Sequence, residues 1–162
     1  MANATNKEIN TEETVVEETT ETKEAVNILD LLLGSDIGEI KLPTKTVEIT
    51  RLSEVYGSPF ILKVKALTPE KFEEIQDMSV KVKGKDADID ITLLQLFSVI
   101  EGVVDDTGAP MFKNKELMKK FKVSTPKELV RKLLLSGEIA KIYGEISDLS
   151  GFGDDAIKEV KN

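Results

Sequence analysis

A chain of 162 residues with a net charge of −8 has the length of one domain, and it contains neither Cys nor His. Those two absences remove disulfides, thiolate chemistry, Cys/His zinc sites and imidazole acid–base catalysis. No apolar run approaches the ~20 residues of a membrane span and the N-terminus is acidic and polar, unlike a signal peptide, so a cytoplasmic protein without membrane contact is expected.

Residues 1–27 hold seven Glu against Lys7 and Lys23 and contain no aromatic residue. Their few apolar side chains keep no period, so burial could not offset the entropy of ordering them, and a disordered acidic tail is expected. Solubilisation is the simplest role for such a tail. Ile28, Leu29, Leu31, Leu32 and Leu33 then form a short apolar burst that ends at Gly34. One or two helical turns are too short to be stable alone, so the burst must dock. It docks either on its own domain or, as a short amphipathic anchor, on a neighbouring molecule.

Two segments with largely alternating polarity follow, Thr46 to Leu52 and Phe60 to Ala66. They predict two strands joined through Gly57 and Pro59 as an antiparallel hairpin. Thr68 caps a helix that begins at Pro69 and turns Phe72, Ile75 and Met78 inward. Around Gly84, VKVKGKDADIDI reads either as a second, polar hairpin or as an extended connector. Thr92 opens a strongly apolar helix, LLQLFSVIEGVV, which the turn DDTGAP ends.

Asn114 can cap a helix over Lys115 to Phe121 that buries Leu117, Met118 and Phe121. Thr125, Pro126 and Glu128 make a capping box with Pro at the first helical position, followed by Leu129, Val130, Leu133 and Leu134 at helical spacing. Ser136 and Gly137 interrupt the run before Glu138 opens a last helix. Ile139, Ile142, Tyr143, Ile146 and Leu149 line its apolar face, with Lys141, Glu145 and Asp148 turned outward. Gly151 stops this helix, and Phe152 is placed to fold back onto its last turn. The expected architecture is a disordered acidic tail (1–27), a single α+β domain (28–153) and a flexible C-terminal tail (154–162). Within the domain a small N-terminal β-hairpin unit precedes a mainly helical half.

No constellation for chemistry emerges. Asp86, Asp88 and Asp90 have the spacing that opens an EF-hand loop, but Ile91 and Phe97 stand where the loop needs Gly and Glu. Asp105 and Asp106, beside Gly108 and Pro110, read as turn residues rather than an acid–base pair. Phosphate-binding glycine patterns and an activated serine are missing, so neither catalysis nor a cofactor or metal is expected. One charge feature stands out. From Lys113 to Lys132 there are eight Lys or Arg against Glu116 and Glu128, a local net of +6. A solvated helix face is one reading, and a docking surface for an acidic protein segment, such as the acidic tail of a neighbouring copy, is another. Nucleic acid is disfavoured by the lack of stacking aromatics and by the net negative charge. The candidate partner-binding residues are therefore Ile28, Leu29, Leu32 and Leu33 in the apolar burst, and Lys115, Lys119, Lys120, Lys127 and Arg131 in the basic cluster.

The stretch from Asn114 to Phe152, NKELMKKFKVSTPKELVRKLLLSGEIAKIYGEISDLSGF, preceded by IEGVV and DDTGAPMF, resembles the C-terminal half of the XkdN-like phage tail assembly chaperones. The combination of KEL, TPKEL, LLxxGEI and ISxLSGF carries the likeness, which extends more loosely back to about Leu29 and leaves out the acidic tail. The resemblance implies a non-enzymatic protein of long-tailed phages or phage-tail-like bacteriocins. Such a protein coats the tape measure protein, keeps it soluble, recruits tail tube protein and leaves before the particle is mature. It also implies that a ribosomal frameshift near the gene end could add a C-terminal extension after GDDAIKEVKN. The alternative reading is a permanent structural component of a phage tail or phage-tail-like bacteriocin particle, and self-association through the apolar burst or the acidic tail is a further expectation from the residues themselves.

Overall fold

The computed structural model describes residues 26–161 except 37 and 39, and the expected disordered tail lies almost wholly outside them. The chain divides into two units, residues 1–40 and 41–162.

In the first unit, helix α1 (Ile28–Gly34) forms on the apolar burst. The Asn27 side chain caps it by accepting from the Leu29 amide at 3.0 Å and the Asp30 amide at 3.4 Å.

The second unit is α+β. Strand β1 (Thr44–Glu48) pairs antiparallel with β2 (Ile61–Lys65), with Val47 opposite Leu62. The connection differs from the expected turn. Helix α2 (Thr50–Tyr56) occupies the end of what reads as the first strand, and Gly57, at φ 64°, supplies its left-handed cap. Ile49 and Leu52, three apart and both buried, fit a helix turn as well as a strand, which is why alternation misplaced this segment. Ser53 fastens the corner: its hydroxyl donates to Glu48 at 2.7 Å and accepts from the Phe60 amide at 2.8 Å.

Helix α3 (Pro69–Met78) starts where expected, with Thr68 accepting from the Lys71 amide. Ile75 is fully buried and Phe72 partly so, but Met78 faces solvent, one residue before the buried Ser79 ends the helix. Strands β3 (Val80–Lys83) and β4 (Asp86–Ile89) resolve the following segment as a two-stranded hairpin. Helix α4 (Ile91–Gly102) begins one residue before the expected Thr92, because Asp90 caps it. Its last apolar residues are not helical. They form β5 (Val103–Val104), which adds to β2 and gives a sheet of order β1-β2-β5. A short apolar run has no local mark that separates helix end from buried strand; pairing with β2 decides it.

A 3₁₀ turn (Met111–Lys113) seats the fully buried Phe112 and leads to α5 (Lys115–Lys120), capped by Asn114 as expected. Leu117, Met118 and Phe121 are partly buried against the core. The Thr125 capping box opens α6 (Pro126–Leu133) in full. Helix α7 (Ser136–Ser147) starts two residues before the expected Glu138, with Gly137 inside its first turn and the Glu138 carboxylate accepting from the Leu135 amide at 2.8 Å. A wider π turn (Asp148–Phe152) ends it at Gly151, φ 91°. Phe152, expected to fold back onto the last turn, lies against Phe72 of α3, ring centroids 5.0 Å apart, while the Ser150 hydroxyl accepts from the Leu67 amide.

The core is one cluster centred on α4. Leu96, Val99 and Ile100 meet Leu62 and Val64 of β2, Leu129 and Val130 of α6, and Ile142 and Ile146 of α7. Residues 154–161 follow as exposed chain without helix or strand.

Candidate partner-binding surfaces

All five large aliphatic residues of α1, Ile28 to Leu33, are 49–78% exposed, and none of the helix is buried. Ile28, Leu29, Leu32 and Leu33 thus present an apolar surface on a helix of seven residues, too short to hold its shape by backbone hydrogen bonds alone.

The basic cluster separates into engaged and unengaged cations. Lys113 pairs with Glu101, Lys132 donates to the Phe121 carbonyl at 2.7 Å, and the half-buried Lys127 sits 5.6 Å from the centre of the Phe97 ring. Lys115, Lys119, Lys120, Lys122 and Arg131 are exposed, and none forms an ion pair among the described residues. Of the two nearby carboxylates, Glu128 is occupied. It accepts from the Ser124 and Thr125 amides and from the Thr125 hydroxyl, and these bonds, the Ser124 amide first, hold it below the usual carboxylate range. Glu116 is the exposed carboxylate left on α5. Lys122 is also the one non-glycine residue with positive φ among those described, 54°, where α5 closes through Val123 N–H donating to Met118 at 3.0 Å. Sequence reading placed the cluster but could not sort it, because Glu101, Phe97 and the Phe121 carbonyl reach it only through the tertiary fold.

Two further surfaces stand out, a groove with no counterpart in the sequence and a hairpin that was expected to be polar. An open groove of about 430 Å³ runs between the β1–α2 corner and α7, with Val47, Ile49 and Ile142 in its lining. Arg51 closes one part of it with two parallel bonds to Glu138, at 2.9 and 2.8 Å, and a third to the Leu133 carbonyl at 2.8 Å. Glu145, which also lines the groove, pairs with Lys45 of β1. The β3–β4 hairpin exposes Val80, Val82 and Ile89, flanked by Met78 and Ile91. Alternation around Gly84 could have marked this apolar side, since Val80 pairs with Ile89 and Val82 with Ala87.

Two of the residues weighed for chemistry serve the fold. Asp90 caps α4 through the Leu93 amide and pairs with Lys81, the ammonium first among the causes that lower its pKa. Asp105 accepts from the Thr107 hydroxyl and amide and from the Ala109 amide, which makes it the turn residue its neighbours predict. Among the described residues no group of three or more Asp or Glu side chains is placed to hold a metal ion, and no helix is long and apolar enough to cross a membrane.

Comparison with known proteins gives the family to which these surfaces belong. A family model described as phage XkdN-like tail assembly chaperone protein matches residues 29–162. The phage-like element PBSX protein XkdN of Bacillus subtilis (strain 168) is 28% identical over 121 residues, 72% of this chain and 78% of that protein. The uncharacterized protein YqbN of the same organism is 31% identical over 101 residues, 60% of this chain and 65% of that one. The crystal structure of the protein YqbN has the same fold, with a TM-score of 0.52 at 22% identity over 80% of this chain and 100% of that chain.

Proposed function

Because this chain belongs to the phage XkdN-like tail assembly chaperone family, we propose that it binds the tape measure protein during tail assembly and helps to recruit tail tube subunits, without catalysing a reaction. The observation that carries the reading is α1, whose five aliphatic side chains are all left exposed. An exposed apolar helix fits the side-by-side packing by which amphipathic helices are recognised, and a long helical client offers such a surface repeatedly.

Magnitudes favour a transient contact. Burying what remains exposed of five aliphatic side chains contributes on the order of 5–9 kcal/mol before the costs of association, which are of similar size. One α1 therefore binds weakly and releases readily. Several copies on one client hold it firmly through high effective concentration. That balance suits a protein that acts in the host cytoplasm and leaves when tube subunits compete for the client.

The test is a pulldown of the tape measure protein with the full chain and with L29D/L32D/L33D. Retention by the full chain and loss of most of it by the variant, whose melting temperature is unchanged, is the expected pair of results. Equal retention by both would remove α1 from the account. Purified particles that contain the chain in stoichiometric amount would instead assign it a structural place.

A further inference from the structure

We propose that the unengaged cations of α5 and α6 bind the acidic segment at residues 8–24 of a second copy of this chain, so that copies associate head to tail. Complementary charge on one sequence is the first support. Residues 8–24 hold seven Glu against Lys23, and the fold leaves Lys115, Lys119, Lys120, Lys122 and Arg131 exposed without a carboxylate partner among the described residues. The cluster's own Glu128 is held by backbone amides and Glu101 by Lys113, which leaves Glu116 as the one internal carboxylate of α5 and α6 open to compete for five cations.

Length is the second. Seventeen residues in extended form reach about 55 Å, whereas α5 and α6 are about 9 and 12 Å long, so part of the segment is enough to span the face. Lys122 is the third. Its left-handed backbone is the position at a helix end where Gly is favoured and a side chain costs stability. A Lys kept there at that cost fits a residue used for its charge.

The contact joins two different surfaces, so it is heterologous and propagates instead of closing on itself. A chain of net charge −8 repels its copies at long range, and segregation of the charge gives attraction at short range. Association of this kind needs no tape measure protein, so it stands or falls separately from the proposed client.

Sedimentation velocity of the full chain tests it. The wild-type chain associates in about 50 mM salt and dissociates in about 500 mM, as screening of exposed pairs requires. K115E/K119E/K120E, and separately E12Q/E13Q/E17Q/E18Q, weaken association about tenfold or more with unchanged melting temperature. Mixed together, these two variants recover one complementary contact and form a heterodimer. K122G associates several-fold more weakly while melting no lower than wild type, an outcome a purely structural lysine would not give. A wild-type chain that stays monomeric in low salt, association indifferent to salt and to both variant sets, or a mixture that fails to associate would each overturn the proposal.

Discussion

At the scale of single residues, one close fit in the core is between α4 and α7. A Cβ on Gly102 would come within 2.5 Å of Cδ1 of Ile146, and both residues are buried. Ile146 is fully buried and its Cγ1 and Cγ2 also lie within 3.1 Å of that position, so Gly102→Ala should cost about 1–3 kcal/mol by overpacking. Urea unfolding measures this. Ile146→Val removes the clashing Cδ1 at a cost of its own of about 0.5–1.5 kcal/mol, so the double variant should be less destabilised than the sum of the two. Strict additivity would show that the contact is not tight. The same scale separates what a sequence displays from what it hides. Asn114, Thr125 and Thr68 act on amides three residues away, so their roles are local and legible. Lys127 finds Phe97, and Phe152 finds Phe72, only after distant segments have come together.

Among elements, local signals located the helices well, with the exceptions already given for α2 and for β5. At α2 two periodicities coincide on Ile49 and Leu52, and at Val103–Val104 only the partner strand distinguishes the states. The Arg51–Glu138 pair then ties α2 to α7. The Arg51 hydrogen bond is the leading cause that lowers the Glu138 pKa, so this carboxylate stabilises the fold while ionised. The stability it lends is present above the unfolded-state pKa and is lost as pH falls through its depressed folded-state value. Glu138→Gln should therefore melt below wild type at neutral pH, with a gap that narrows as pH falls below the ordinary Glu range and closes below the depressed folded-state pKa. Melting temperatures across that range decide the matter. A constant gap would mean that the charge of Glu138 is irrelevant. With no His in the chain, no side chain titrates from its ordinary value near neutrality, and the wild-type curve should be flat there.

For the molecule as a whole, surfaces rather than a cavity carry the functional argument. Its polar groups serve caps, corners and ion pairs within the fold, while α1, the basic face and the β3–β4 hairpin remain open. The family was legible from the phrases between Asn114 and Phe152, which include caps (Asn114, Thr125) and core positions (Leu129, Leu134, Ile139, Ile146) of α5 to α7 that can be read locally. The groove beside β1 and the sorting of the basic cluster were not legible, since both depend on which segments the sheet and α4 bring together. The central claim, that several copies coat the tape measure protein, has a direct measurement. Co-expression of the two proteins, followed by light scattering of the purified complex, should give a soluble assembly with many copies of this chain per tape measure protein. An insoluble tape measure protein, or one that purifies without this chain, would contradict it.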